Sequence, residues 1–124
     1  MTTYKDLIVW QKSLKLVLSV YTLAGGFPKD ELYGLTSQMR RAAVSMPSNI
    51  AEGRRRGTDK EFRRFLAIAY ASGAELETQI EIIKLLQYGK VTEIQQCEDL
   101  LSEVMKILNK MIHSLHSYVL KATS

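Results

Sequence analysis

Residues 40–57 read RRAAVSMPSNIAEGRRRG. Small and apolar side chains recur through Ala42, Met46, Ile50 and Gly53 at three- and four-residue steps, the repeat of one helical face. The run ends in Arg54, Arg55 and Arg56, and positive charge is favoured in the last turn of a helix by the dipole. Gly57-Thr58 then breaks the pattern. Thr58-Asp-Lys-Glu61 has the spacing of a capping box, and Phe62 opens a second apolar stripe. A helical hairpin is therefore expected, with Arg54, Arg55, Arg56, Lys60, Arg63 and Arg64 clustered at its tip. Pro47 lacks an N–H and presses on the carbonyl of Ala43, so the first helix of the hairpin should kink there. Ser48 and Asn49 are at hand to satisfy freed backbone groups.

The same period extends outward in both directions. A first helix is expected over about residues 3–24, with Leu7, Trp10, Leu14, Val17, Tyr21 and Ala24 on its inner face. GGFP follows, with a glycine for the left-handed closing position and Pro28 for the next first turn, where Asp30 and Glu31 suit the dipole. Leu32, Leu35 and Met39 lead into the quoted stretch. The third helix continues through Phe65, Ala69, Gly73, Leu76, Ile80 and Ile83 to Tyr88-Gly89. Thr92-Glu-Ile-Gln95 is a second capping-box pattern. The fourth helix carries Ile94, Cys97, Leu101, Val104, Leu108, Met111, Leu115 and Tyr118. Four long helices joined by short turns predict an all-α fold, an antiparallel up-down-up-down four-helix bundle, spanning residues 1–124 as one domain.

Charge is distributed unevenly. The formal net charge is +4, yet residues 40–64 hold eight basic and three acidic side chains. The remaining nine basic and ten acidic groups net to −1, so the positive excess is wholly local. A local excess suits either a polyanion site or a solvated helix end. Arg40 and Arg41 read differently. Counting outward equally from the turn sets Arg40 opposite Glu75 and Ala43 opposite Ser72. Small residues on both helices permit close approach, so a structural ion pair of Arg40 or Arg41 with Glu75 or Glu77 is expected.

Catalytic chemistry finds no support. The sequence has no glycine-rich phosphate loop, nucleophile elbow or metal-spaced cysteine set. His113 and His116 lack a nearby carboxylate set, and Glu75, Glu77 and Glu81 lack the Glu-x-x-His partners of di-metal bundles. No catalytic residue, metal or cofactor is expected, and no small-molecule substrate. Cys97 falls on an apolar stripe and reads as a buried thiol. No apolar run approaches the ~20 residues that cross a bilayer, and the charged start MTTYKDLIVWQKSLK is unlike a signal peptide. With a lone cysteine, a cytoplasmic location is expected. Apolar residues also exceed what one core can cover. Val9, Leu16, Val20 and Leu23 lie off the first helix's stripe, and Leu100, Met105, Ile107, Ile112 and Val119 off the fourth's, which points to self-association.

These stretches resemble a known family, the bacterial 23S ribosomal RNA intervening-sequence proteins, also called four helix bundle proteins. The likeness is carried by DLIVWQKS, FPKDELYGLTSQMRRAAVSMPSNIAEGRRRG and EFRRFLAIAYASGAELETQIEI. It implies an antiparallel bundle assembled as a homopentamer and associated with ribosomal RNA. Some relatives resemble accessory proteins that serve a reverse transcriptase. The sequence departs from the pattern at Ala71 and Gly73, where glycine has moved, and at Gln87, which replaces the usual glycine. The expected function is a non-enzymatic oligomer binding RNA through phosphate contacts from Arg54, Arg55, Arg56, Lys60, Arg63 and Arg64. The alternative is a protein-interaction scaffold or an accessory to a nucleic-acid enzyme.

Overall fold

A computed structural model describes residues 3–123, with side-chain surroundings for residues 3–115. Four long helices dominate: α1 (Ile8–Ala24), α2 (Ser37–Arg55), α3 (Asp59–Leu86) and α4 (Val91–Thr123). Each packs on its two neighbours in ring order, α1 against α2 and α4, and α3 against the same two. This is the expected four-helix bundle, and no strand occurs among the described residues.

The α2–α3 hairpin sets the geometry. Met39, Ala42, Met46, Ile50 and Gly53 of α2 are buried, as are Phe65, Ala69, Gly73, Leu76, Ile80 and Ile83 of α3. Two glycines sit where the helices come closest. A methyl on Gly53 would lie 2.5 Å from Phe65 Cβ and 3.3 Å from the Phe62 carbonyl oxygen. A methyl on Gly73 would lie 2.2 Å from Met105 Sδ and 3.1 Å from Met46 Cε, so this glycine leaves room for two methionines to meet in the core. Ser45 and Ser72 hydroxyls bond across the seam at 2.8 Å. Equal counting from the turn set Ser72 opposite Ala43; the observed partner lies two residues further along. α2 runs unbroken through the buried Pro47. Asn49 Nδ2 donates to the Ser45 carbonyl at 2.8 Å and to its hydroxyl at 2.9 Å.

The stripe of α4 is placed as expected. Ile94, Cys97, Leu101, Val104 and Leu108 are buried, and Met111 and Leu115 pack on the core's edge. The side chains of His116, Tyr118 and Val119 lie outside the described residues. Cys97 Sγ meets Ser19 Oγ at 3.0 Å, and burial pushes its thiol pKa up, which fits a structural thiol.

α1 presents a different face to the core from the expected one. Val9, Leu16, Val20 and Leu23 are fully buried, while Leu14 and Tyr21 are exposed and Trp10 and Val17 only half-buried. The helix is rotated by about one residue, ~100°. Two serines explain the difference. Ser13 is buried with its hydroxyl donating to the Trp10 carbonyl at 2.7 Å, and Ser19 is buried against Cys97. Satisfied hydroxyls cost little inside, so the polar marks on this helix point inward. The residues that seemed surplus form the core, and Leu14, Leu18 and Tyr21 become the exposed apolar side.

Helix ends also differ in detail. Thr3 caps a single 3-10 turn, Tyr4–Asp6, and extended Leu7 separates it from α1. The chain between α1 and α2 forms a 3-10 turn, Lys29–Glu31, then a wide π turn, Leu32–Thr36, with non-helical backbone at Gly34. Glu31 caps that turn through the Leu35 N–H at 3.4 Å and accepts from Tyr88 Oη at 3.1 Å. Leu32, expected inside, is consequently half exposed. Thr58 caps α3 through the Glu61 N–H at 3.2 Å, but the Glu61 carboxylate turns to Arg64, so only half of that capping box forms. α4 starts at Val91, which puts Thr92 inside its first turn. Gln87 closes α3 with a left-handed φ of 60°, a conformation glycine adopts without strain.

Leu16→Ala should cost about 3 kcal/mol in urea unfolding, and Leu14→Ala less than about 1 kcal/mol. Equal losses would restore the opposite rotation of α1. Gly53→Ala should lower stability by about 1–2 kcal/mol although alanine is the better helix former, because Phe65 Cβ cannot yield as a flexible tip would.

Candidate nucleic-acid interface

The cationic residues occupy the end of the bundle where α2 closes onto α3. Arg54 and Arg55 fill the last turn of α2, Arg56 is its C-cap, and Gly57 turns the chain with φ 88° into open space. Lys60, Arg63 and Arg64 follow in the first turns of α3. Chain geometry thus puts all six expected contacts at one end.

Their surroundings divide them. Arg56 and Arg64 converge on one ring, their guanidinium carbons 5.0 Å and 4.5 Å from the Phe65 centroid. Phe65 is only 6% exposed, so the ring is a buried floor with two cations above it. Each of these arginines is also held by its own helix's carboxylate. Arg56 pairs with Glu52 at 3.2 Å, and Arg64 grips Glu61 twice, at 2.7 Å and 3.3 Å. Arg55 lies 5.4 Å above Tyr4, which meets Trp10 edge-on at 5.3 Å. Arg63 is half-buried, and its Nε has no hydrogen-bond partner among the described residues. Arg54 and Lys60 are exposed and make no ion pair or hydrogen bond among the described residues.

The electrostatics of this end register on Glu61. The hydrogen bond from Arg64 holds its carboxyl below the ordinary range, helped by the charges of Arg64, Arg56 and Lys60. Glu61 thus stays ionised to lower pH than a free glutamate and neutralises part of the cluster. These exposed pairs are screened and individually weak, so an incoming phosphate can displace them. The aromatic supports Tyr4 and Phe65 could not be read from sequence, since each meets its arginine through the tertiary fold. Among the described residues, the rings in contact with the tip arginines are half-buried Tyr4 and buried Phe65, which leaves the planar guanidinium groups as the more open stacking surfaces.

The expected ion pair of Arg40 or Arg41 with Glu75 or Glu77 does not form. Arg40 points to α1, 4.6 Å above the Tyr21 ring, with Nη2 donating to the Tyr21 carbonyl at 3.4 Å. Arg41 is exposed. Glu75 accepts from Gln79 at 3.3 Å. Glu77 lines a groove of about 550 Å³ between α3 and α4, together with Glu81, Glu98 and Asp99. Lys84 bridges Glu81 and Glu98 at 3.3 Å and 2.7 Å. That groove is acidic and repels polyanions, which leaves the α2–α3 end as the favourable one. No group of three or more possible metal ligands occurs among the described residues, and no described helix is long and apolar enough to cross a membrane.

Comparison with known proteins adds three findings. No curated protein matches the chain. Among solved structures, it superposes on a protein of unknown function from the S23 ribosomal protein family of Bacteroides thetaiotaomicron, with a TM-score of 0.76 and 23% identity. The match covers 85% of this chain and 98% of that one, and at this identity it speaks to the fold. The family model for 23S rRNA-intervening sequence proteins matches residues 5–110. On that match, over a bundle whose basic end follows directly from RRAAVSMPSNIAEGRRRG, the chain belongs to the 23S rRNA-intervening sequence protein family.

Proposed function

We propose that this protein is a non-enzymatic oligomer that binds RNA through phosphate contacts from the α2–α3 end. The observation that carries the reading is the concentration of Arg54, Arg55, Arg56, Lys60, Arg63 and Arg64 in one hairpin tip, against an otherwise slightly acidic chain. The family's link to ribosomal RNA supports ribosomal RNA, or its precursor, as the partner. Arg54 and Lys60 meet phosphates directly, whereas Arg56 and Arg64 exchange Glu52 and Glu61 for them.

Self-association supports the same reading. Leu14, Leu18 and Tyr21 form an exposed apolar side on α1, and Leu18 is 70% exposed. A homopentamer, which the family resemblance implies, would repeat the basic tip on one rim. Weak contacts would then add through effective concentration. The proposed setting is the bacterial cytoplasm.

A second reading rests on the opposite end of the bundle. Tyr33, Leu85 and Val91 are 93%, 85% and 81% exposed there, beside the α1–α2 and α3–α4 turns. Such residues suit a protein-interaction scaffold, including an accessory to a nucleic-acid enzyme such as a reverse transcriptase. A partner that stays bound after nuclease treatment and is lost on Leu85→Ser with Val91→Ser would favour this reading.

Neutralisation of roughly four phosphates gives a log–log salt slope near −3 for a single strand, at about −0.7 per phosphate. Fluorescence anisotropy with a labelled RNA should show this slope. Arg54→Gln with Lys60→Gln should reduce it by about one to one and a half. A flat salt response, or unchanged binding by that double variant, would reject the phosphate reading. Glu52→Gln with Glu61→Gln should tighten binding several-fold at low salt by releasing Arg56 and Arg64.

A further inference from the structure

A cavity of about 350 Å³ lies where α1 gives way to α2, at the end of Arg40's reach. Phe27, Pro28 and Leu32 supply apolar walls, and Lys29, Thr36 and Arg40 supply the polar groups. No carboxylate lines it. Arg40 is half-buried and has no acidic partner within 4.0 Å among the described residues. Among the described residues its Nε is buried without a hydrogen-bond partner, and its hydrogen bond to the Tyr21 carbonyl is long at 3.4 Å. That carbonyl already accepts the Gly25 N–H at 3.0 Å. Leaving a buried donor unpaired is costly. The Tyr21 ring lies 4.6 Å from the guanidinium carbon, and Arg40 lines the cavity beside it.

The walls select among anions. Here the Gly25 and Phe27 N–H groups are committed to Tyr21 and Ala24 at 3.0 Å and 3.1 Å, and Pro28 has none. The lining side chains offer a planar guanidinium fork, an ammonium and a hydroxyl over an apolar floor. A guanidinium matches a carboxylate or a phosphate with two parallel hydrogen bonds, and the apolar walls favour a carboxylate that carries an apolar body over a compact, strongly hydrated phosphate dianion. The cavity volume falls at the small end of ligand pockets.

We infer that this cavity binds a small carboxylate with an apolar body, its head on Arg40 and Lys29 and its body against Phe27, Pro28 and Leu32. The site is separate from the basic tip: Arg40 and Arg54 are fourteen residues apart along α2, roughly 21 Å at ~1.5 Å per residue. It binds and is not a site of turnover.

The test follows the Arg40 Nε–Hε signal by NMR in the intact protein while phenylacetate, acetate or inorganic phosphate is added. Phenylacetate should shift it saturably, with acetate at least tenfold weaker and phosphate without saturation. Arg40→Lys should weaken phenylacetate at least tenfold while the melting curve shows a folded protein. Leu32→Ala, which keeps the cation, should weaken phenylacetate and leave acetate unchanged. Tighter binding of phosphate than of phenylacetate overturns the inference, and so does undiminished phenylacetate binding by folded Arg40→Lys. A signal that moves with protein concentration and ignores added carboxylate assigns Arg40 to an interface between copies and equally overturns it.

Discussion

Close approach of α2 to α3 is the constraint on which the rest depends. Gly53 under Phe65 and the Ser45–Ser72 hydrogen bond hold the helices together along the hairpin, and Gly73 makes room for Met46 of α2 and Met105 of α4. A side chain at Gly53 would push Phe65 away. Phe65 is also the floor on which Arg56 and Arg64 stand, so core packing and cation placement share one contact. The basic end therefore follows from packing at the hairpin's closed end and needs no separate scaffold.

That end is a balance of opposed charges. Two of its arginines are held by neighbouring carboxylates, Arg54 and Lys60 stand in solvent free of such pairs among the described residues, Arg55 rests on Tyr4 and Arg63 is half-buried. Screening makes each surface pair weak, and in the proposed complex RNA would replace the carboxylates with a denser line of charge. The acidic groove between α3 and α4 gives the opposite sign on another face. The molecule is thus electrically polarised, which orients a polyanion toward one end.

How legible this was in the sequence depended on how cleanly polar and apolar residues separate. In α2 and α3 they separate sharply, and the stripe positions named from the pattern between Met39 and Ile83 are buried, save Phe62, which is half-buried. α1 is apolar on two sides and hides Ser13 and Ser19 through local hydrogen bonds, so its period was clear and its phase was not. Arg40 was misplaced for a related reason. Counting from the turn gives which rows of two helices face each other, but not which side of α2 a given arginine leaves from, and Arg40 leaves toward Tyr21. The six tip cations were legible because they sit within about two turns of a chain reversal, where helix phase matters little. Their partners Tyr4 and Phe65 were not, since those contacts exist only after folding.

Amide hydrogen exchange with and without a single-stranded RNA tests the central claim most directly. The account predicts added protection confined to the α2–α3 end, around residues 52–66, with the α3–α4 groove unchanged. Protection centred on that groove, or none anywhere at low salt, would contradict it.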